Sequence, residues 1–325
     1  MPSAPLVQVV RSGLVESIHL GDVAVCDTSG RLLAAAGDPD HVSYVRSCMK
    51  PVQAAVSLAA IGADVVLSER QIAVMCASHN GEPVHIRTVR SVLRRGRVEE
   101  AALQTPPARP ADPASAAGVR TPRPIFHNCS GKHAGMLVAS SAAGWPLEMF
   151  RNRSHPLQRR VLRAVRSLSG IEPTLGVDGC GVPVHAMPLR AVATMYARLT
   201  DADNDLADSF TRATEAMRAE PYLVGGLDRD DTAIMEATPD IVVKEGAEAL
   251  DCAVILGAGI GIAVKIADGG YRAAGPALLA VLDQLGVLAP GARRMLRSRL
   301  RPAVLGGGRP VGNREPIFTL SRDRA

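Results

Sequence analysis

The order of strand-like and helix-like segments along the chain constrains its fold more than any other feature. Short runs typical of strands lie near both ends, at 7–10, 22–27, 32–36, 241–244, 252–256 and 260–267. Apolar residues at helical spacing fill the middle and recur near the end, at 51–60, 69–76, 85–95, 157–168, 187–199, 205–218 and 277–285. Strands enclosing a helical middle predict an α+β fold with a mainly antiparallel sheet flanked by helices.

Turn, capping and glycine signals mark the ends of several segments. The run 28–30 (Thr-Ser-Gly) separates two strands and indicates a hairpin. Ser68 and Gln71 have the spacing of a capping box, which predicts a helix beginning after Ser68. The glycine-rich run 256–261 precedes a strand instead of a helix, so we interpret it as a close backbone approach or a bend in a strand, and not as a dinucleotide site.

The length and apolar content of the chain allow a large buried core. At 325 residues and 47% hydrophobic content, the chain is long enough for one large domain or two small ones. The one low-complexity stretch is the Pro/Ala-rich run 105–124, which we expect to be a surface loop. We predict a single domain over 1–325.

Composition argues against nucleic-acid and membrane partners. The formal charge is +5, but the arginines are scattered and aromatic residues make up only 3% of the chain, too few for base stacking. No segment reaches 18 apolar residues without a charge, and the first residues lack a secretory pattern. The six cysteines lie far apart, which favours reduced thiols or metal ligands. We therefore expect a soluble, cytoplasmic protein.

Lysine is scarce in this chain. Lysine and arginine together number 37, and only Lys50, Lys132, Lys244 and Lys265 are lysines. Lysine, unlike arginine, loses its proton when it is desolvated, and can then act as a base or a metal ligand. The four lysines are therefore candidate functional residues, although each could also be a surface residue retained by chance.

Three short motifs carry serine and lysine in a characteristic order. Ser47 and Lys50 form S-x-x-K, whose spacing places a hydroxyl and an amine on one face of a helical turn. Ser78 begins an S-x-N motif, and Lys244 begins a K-x-G motif after a predicted strand. This is the order found in serine β-lactamases and penicillin-binding proteins. The short separation of Ser47 from Ser78, and Glu245 within the third motif, weaken a penicillin-type assignment.

A second constellation is rich in sulfur and glycine. Cys129 lies three residues before Lys132, at a position that we predict to be a helix start, and Cys180 lies within Asp-Gly-Cys-Gly at 178–181. Two thiolates on glycine-lined turns suit zinc, which favours four ligands and soft sulfur donors. Two distant cysteines can equally be ordinary buried thiols, so both interpretations stay open at this point.

Six blocks together resemble a known family. They are RSCMK (46–50), CASHNGE (76–82), NCSGKHAGM (128–136), VDGCGVP (177–183), KEGAE (244–248) and GIGIAVKIADGG (259–270). They resemble the asparaginase II family, the rhizobial-type or class 3 L-asparaginases. The resemblance implies a fold like serine β-lactamases and glutaminases, a homodimer, two serine–lysine pairs, and a zinc ion near the substrate L-asparagine.

The resemblance also implies a role for each matching residue. Ser47 with Lys50 forms the first catalytic pair, and Ser78 with Lys244 the second, with Lys265 as an alternative partner. The implied zinc ligands are Cys129, Lys132 and Cys180. The implied substrate-binding residues are Arg46, His133, Asp178 and Gly179. We favour Ser47 as the nucleophile, which would form a β-aspartyl ester that water then hydrolyses.

Three functional hypotheses follow. The first is an L-asparagine amidohydrolase that releases L-aspartate and ammonia. The second is a penicillin-recognising serine acyl transferase or hydrolase, which would react with a β-lactam. The third is a non-catalytic zinc-binding protein. This hypothesis does not explain the motifs that contain Ser47, Ser78 and Lys244.

Overall fold

The computed structural model of the protein describes residues 2–63, 65–201, 203 and 205–322. The strands are β1 (Ala4–Arg11), β2 (Leu14–Cys26), β3 (Leu32–Ala36), β4 (Val42–Tyr44), β5 (Thr174–Val177), β6 (Pro183–Pro188), β7 (Ile241–Gly246), β8 (Leu250–Ile255), β9 (Ile260–Ile266), β10 (Ala303–Gly306), β11 (Arg309–Pro316) and β12 (Ser321–Arg322). The helices are α1 (Lys50–Ile61), α2 (Glu69–Met75), α3 (Pro83–Arg95), α4 (Pro113–Ala117), α5 (Ser130–Ala142), α6 (Pro156–Ser169), α7 (Leu189–Ala197), α8 (Ala207–Ala219), α9 (Pro221–Val224), α10 (Asp230–Ala237), α11 (Tyr271–Gln284), α12 (Pro290–Met295) and α13 (Arg297–Leu300). Short 3-10 helices occur at Arg46–Met49, Glu100–Ala102, Pro124–Phe126, Arg198–Thr200 and Leu256–Ala258.

The chain forms two compact units. Unit 1 contains residues 1–48, 186–198 and 233–325, and unit 2 contains residues 49–185 and 199–232. Because the chain passes between the units several times, unit 1 is built from three segments of the chain and unit 2 from two.

Unit 1 is organised around a large antiparallel sheet. Its main strand order is β10-β11-β1-β2-β9-β8-β7, with β3 paired to β2 and β12 paired to β3. Helices α7 and α11 pack against β9, and every residue of β7 and β8 is buried, so both faces of this part of the sheet are covered. A Cβ at Gly261 would lie 1.9 Å from the Ala193 carbonyl oxygen of α7, which confirms the close approach expected for this glycine-rich run.

Unit 2 is mainly helical. Helix α1 packs against α5, α6 and α8, and α2 packs against α3, α5 and α8. The predicted capping box is confirmed, since Ser68 accepts a hydrogen bond from the Gln71 backbone and the Gln71 side chain accepts one from Ser68 N–H. The run 105–124 contains α4 and is closed by an isolated bridge between Ala108 and Arg123.

The α+β class and the antiparallel sheet are confirmed by this architecture. Two helix predictions were wrong in extent. Met187 lies in β6, and α7 begins only at Leu189, after Pro188. The predicted helix 277–285 is the C-terminal part of α11, which begins at Tyr271 and is followed by α12 and α13. Across the described ranges, no helix combines the length and apolar character needed to cross a membrane.

Candidate active site

A buried lysine contacts a buried serine in unit 2. Lys50 is the first residue of α1, and Ser78 follows the end of α2. The Lys50 amine lies 2.8 Å from Ser78 Oγ and 2.5 Å from the carbonyl oxygen of Ala77. Lys50 is completely buried and Ser78 is 4% exposed, so little solvent competes for this hydrogen bond. An amine and a hydroxyl in this arrangement can exchange a proton.

The loop that carries Ser78 is held in place by the segment 221–229. Ser78 N–H donates to the Val224 carbonyl at 2.9 Å, and the Arg229 guanidinium donates to the Ser78 carbonyl at 2.9 Å. Both polar atoms of the Asn80 side chain are engaged as well, by Arg229 at 3.2 Å and by the Leu227 carbonyl at 2.9 Å. The asparagine of the S-x-N motif therefore serves the fold of this loop.

A cluster of sulfur and carboxylate atoms lies at the start of α5. Cys129 precedes the helix, and one ligand atom each from Cys129, Asp178 and Cys180 lies within 4.8 Å of the others. Lys132 completes the cluster, with its amine 3.0 Å from Cys180 Sγ and 3.9 Å from Asp178 Oδ2. The predicted zinc ligands are thus close together, and Asp178, predicted as a substrate-binding residue, lies among them.

Backbone geometry brings the parts of this cluster together. A Cβ at Gly131 would lie 2.0 Å from the Val74 carbonyl oxygen, so only glycine lets the first turn of α5 approach α2 so closely. Asp178 N–H donates to Val182, and Gly181 N–H donates to Asp178, forming a tight turn that presents Cys180. Gly179 is an exposed residue of this turn.

The two thiols of the cluster have opposite pKa shifts. The hydrogen bond from Cys180, together with the charges of Lys50 and Lys132, lowers the pKa of Cys129 well below its ordinary value. The same hydrogen bond and burial raise the pKa of Cys180 to about 11. Burial disfavours the charge on Lys132, but Cys180, Cys129 and Asp178 outweigh this effect and raise its pKa. Of the two thiols, Cys129 therefore loses its proton more readily than Cys180.

The donor atoms of this cluster fit zinc. Two cysteine sulfurs and one carboxylate are ligands that zinc accepts, and the negative charge that attracts Lys132 would attract a cation equally. For Lys132 itself to become a ligand, its proton must be released when the metal binds.

His133 is a buried imidazole one residue after Lys132. It is fully buried, packs edge-on against Phe150 at 5.3 Å between ring centroids, and neither ring nitrogen has a hydrogen-bond partner among the residues that the structure describes. Burial lowers the pKa of His133 to about 4, against the opposing effect of the nearby Cys180. One nitrogen of such a neutral ring can donate a hydrogen bond to a bound molecule, and the other can accept one from it.

In unit 1, Cys48, the residue next to Ser47, is held by hydrogen bonds at its thiol and its carbonyl. Arg46 adopts a left-handed backbone conformation (φ 51°), and half-buried Ser47 follows it. The Cys48 thiol donates to the Lys244 carbonyl at 3.0 Å, and the Tyr196 hydroxyl donates to the Cys48 carbonyl at 2.6 Å. Since Cys48 adjoins Ser47, these contacts restrict where the serine can lie within the unit.

Lys244 and Lys265, the candidate second catalytic lysine and its alternative, are buried as well, and both lie in unit 1. Lys244 lies in β7, is completely buried, and donates to the Glu245 carbonyl at 2.8 Å. The Lys265 amine donates to the carbonyls of Glu248 and Ile266 at 2.6 and 2.5 Å, and burial lowers its pKa. None of the four lysines is a surface residue, so retention of surface lysines by chance does not explain them.

Sequence reasoning missed several residues that support these groups. Arg229 and Tyr196 carry no motif, and only the fold brings them to Ser78 and Cys48. His79 was visible as the middle residue of S-x-N, but the motif assigns it no role.

Comparison with known proteins gives a family match and two similar structures. A model of the L-asparaginase II family matches residues 7–316. No curated protein matches the chain. A β-lactamase structure from Mycobacterium bovis is 18% identical, covering 81% of this chain and 94% of that chain, with a TM-score of 0.45. A Bacillus glutaminase structure is 11% identical, covering 82% and 91%, with a TM-score of 0.46. With TM-scores below 0.5, these two likenesses carry no argument about this chain.

Proposed function

This chain belongs to the L-asparaginase II family, and we propose that it hydrolyses the side-chain amide of L-asparagine to L-aspartate and ammonia. The family match supports the class of amidohydrolase. The observation that carries the proposed chemistry is the 2.8 Å hydrogen bond between the buried Lys50 amine and Ser78 Oγ. It supplies a proton acceptor and a hydroxyl in one buried place, as amide hydrolysis by serine and lysine requires.

In the proposed reaction, Ser47 Oγ attacks the side-chain carbonyl carbon of asparagine while neutral Lys50, three residues later in the chain, accepts the serine proton. The tetrahedral intermediate then collapses, and the C–N bond breaks. The proton held by Lys50 passes through the Ser78 hydroxyl to the departing nitrogen, so that ammonia leaves. Water hydrolyses the β-aspartyl ester, returns a proton to Ser47 Oγ and releases aspartate.

Lys244, with Lys265 as its alternative, is proposed as the second amine that assists Ser78 in this proton transfer. Arg46, His133, Asp178 and Gly179 are proposed to bind the amino and carboxylate groups of the substrate. For His133, the support is its buried ring, whose nitrogens lack hydrogen-bond partners within the described ranges.

We further propose that Cys129, Cys180 and Lys132 hold zinc, with Asp178 as an additional candidate ligand. When bound, zinc would supply a positive charge that orients the substrate. The chain's own contribution is a preformed cluster with one thiolate already favoured at Cys129. If dialysis against a chelator changes neither affinity nor rate, this substrate-binding role fails.

The cytoplasmic location and the homodimer are retained as proposals. All six cysteines are free and buried, which is consistent with a reducing compartment. The homodimer rests on the family resemblance alone, and sedimentation of the purified protein would test it.

An ammonia-release assay with asparagine, glutamine and short peptides, with and without chelator, tests the proposed function. We expect ammonia from asparagine and no reaction with a chromogenic β-lactam. Reaction with the β-lactam and not with asparagine would favour the acyl-transferase hypothesis. Bound zinc without any hydrolysis would favour the non-catalytic one.

The choice of nucleophile is tested by trapping the acyl-enzyme in Ser47→Ala and Ser78→Ala. We expect the ester to form in Ser78→Ala and to be missing in Ser47→Ala. An intact ester in Ser47→Ala would reject Ser47 as the nucleophile.

A further inference from the structure

His79 and Ser130 form a buried hydrogen bond that the proposed reaction does not use. His79 Nε2 lies 2.9 Å from Ser130 Oγ, and both residues are buried, with 1% and 0% exposure. His79 directly follows Ser78, and Ser130 is the first residue of α5, directly after Cys129. One contact therefore joins the loop of the serine–lysine pair to the helix that carries the thiol cluster.

The geometry resembles a serine activated by a histidine base, but the polarity of the hydrogen bonds excludes that role. Gly81 N–H lies 3.1 Å from His79 Nδ1, and a backbone N–H can only donate. Nδ1 is thus the acceptor, so the proton of the neutral ring is on Nε2 and faces Ser130. A base would need a free lone pair at Nε2. His79 donates to Ser130 and cannot accept its proton.

The surroundings of His79 favour this neutral form. Its ring stacks on His85 at 5.2 Å between centroids, and His85 stacks in turn on Tyr222 at 5.9 Å. Burial, with His85 and Lys50 nearby, lowers the pKa of His79 well below its ordinary value. A positive charge on the His79 ring is therefore disfavoured, and the stacked ring keeps a fixed orientation.

The Ser130 hydroxyl is left with a hydrogen of its own. Because Ser130 Oγ accepts from His79, its hydroxyl hydrogen needs a separate acceptor, and the described residues supply none. The imidazole thus determines both the position of Oγ and the directions open to its hydrogen.

We propose that His79 is a positioning residue, whose Nε2–H donates to Ser130 and so fixes the start of α5, with Cys129 and Lys132, relative to Ser78. This inference rests on the proposed function, because the groups it aligns are the ones assigned to the reaction. It adds a residue that acts through Ser130 and does not touch the substrate.

The test compares two replacements of His79. The amide nitrogen of glutamine reaches the place of Nε2, whereas asparagine reaches only the place of Nδ1. We expect His79→Asn to lower kcat by about 10- to 100-fold with KM little changed, as for other residues that orient a functional group. His79→Gln should recover most of kcat. Equal losses in the two variants would overturn the proposal.

His155 offers a matched control in the same unit. Its Nδ1 accepts from Leu157 N–H at 3.2 Å, its Nε2 lies 3.1 Å from the Pro146 carbonyl, and it is 4% exposed, so it repeats the hydrogen-bond pattern of His79 elsewhere. His155→Gln and His155→Asn should lower Tm and leave kcat unchanged. A kcat loss in His155→Asn equal to that in His79→Asn would make the effect one of general stability and overturn the proposal.

Two further measurements complete the test. Nitrogen-15 NMR of histidine-labelled protein, with His79→Gln for assignment, should show a neutral ring protonated at Nε2, and a proton on Nδ1 would overturn the proposal. If His79→Asn does not fold, Ser130→Ala removes the acceptor with a smaller change and should lower kcat similarly. Full kcat in Ser130→Ala would reject only the role of His79, whereas absence of ammonia release by the wild-type protein would reject the proposed function itself.

Discussion

The amine of Lys50 lies between Ser78 Oγ, at 2.8 Å, and the Ala77 carbonyl oxygen, at 2.5 Å. The carbonyl can only accept, so one N–H of Lys50 is directed to the backbone whichever charge the amine has. A second side of the amine faces the serine hydroxyl. Lys50 is thus oriented by the backbone of the residue that precedes its partner.

Replacing Lys50 tests this arrangement. Lys50→Met keeps much of the buried volume and removes the amine, so we expect kcat for ammonia release to fall by about 10²- to 10⁴-fold, the usual contribution of a general base. Lys265→Met tests the alternative to Lys244, since Lys265 is also buried and donates to backbone carbonyls. It should lower Tm with little effect on kcat. A loss of kcat in Lys265→Met comparable to that in Lys50→Met would assign Lys265, and not Lys244, to the reaction.

Gly131 permits the close approach of α5 to α2. In Gly131→Ala, the new Cβ would meet the Val74 carbonyl oxygen at 2.0 Å, and backbone cannot move aside easily. We expect a loss of about 1–3 kcal/mol in the free energy of unfolding, together with reduced metal binding through the displaced Lys132. Urea unfolding and metal analysis measure the two effects.

Gly135, one turn later in α5, is the control for that substitution. A Cβ there would meet the end of the Met75 side chain at 2.6 Å, and a flexible side chain can reorient. The loss of stability in Gly135→Ala should therefore be smaller. Equal losses of stability in the two variants would show that the contact with backbone at Gly131 costs no more than the contact with a flexible side chain at Gly135.

Zinc binding should depend on the two clustered cysteines. Elemental analysis of the purified protein should find about one zinc per chain, and Cys129→Ser or Cys180→Ser should lose it, because thiolates are the preferred donors. Cys252→Ala is the control, since Cys252 is buried in β8 of unit 1. Zinc retained in both serine variants would contradict the assigned ligands.

His185 makes stability depend on pH. Burial alone lowers its pKa from 6.5 to about 4 in the folded protein. Between these values, the unfolded chain binds a proton that the folded chain does not, so the free energy of unfolding falls as the pH falls from 6.5 to 4. For this one group, the fall is on the order of 3 kcal/mol.

His185→Gln removes this titration. Urea unfolding at several pH values from 4 to 7 should therefore show that the free energy of unfolding of the variant falls less steeply with falling pH than that of the wild-type protein. The other buried histidines are present in both proteins, so part of the pH dependence remains in the variant. Identical slopes in the two proteins would show that His185 is protonated in the folded state or remains neutral in the unfolded one.

The sequence predicted best those elements that have one polar face. Helix α3 begins two residues before its predicted first residue, and α6 begins one residue before. Each helix buries one stripe of apolar residues and exposes its polar face, so the helical period is visible in the sequence. Only the start of helix α5 was predicted, and not its extent, because all residues from Ser130 to Ser140 are buried and leave no polar face to produce a period. Strands β10 and β11 are partly exposed and contain glycine and proline, which hides the strand pattern.

The candidate site was predictable where the chemistry is local in sequence. The order of the serine–lysine motifs and the scarcity of lysine are enough to indicate Lys50 and Ser78 as candidate functional residues. The contact of Arg229 with Ser78 spans 151 residues, and that of Tyr196 with Cys48 spans 148. No local pattern encodes such contacts, since only the packing of distant segments creates them.

The burial of all four lysines has a practical consequence. Lys50 and Lys244 are completely buried, Lys132 is 3% exposed and Lys265 is 6% exposed, so arginine supplies the exposed basic side chains. A lysine-specific protease therefore finds its cleavage sites only when the chain opens. The rate of such cleavage would report the opening of unit 2 through Lys50 and Lys132, and of unit 1 through Lys244 and Lys265, from a single digest.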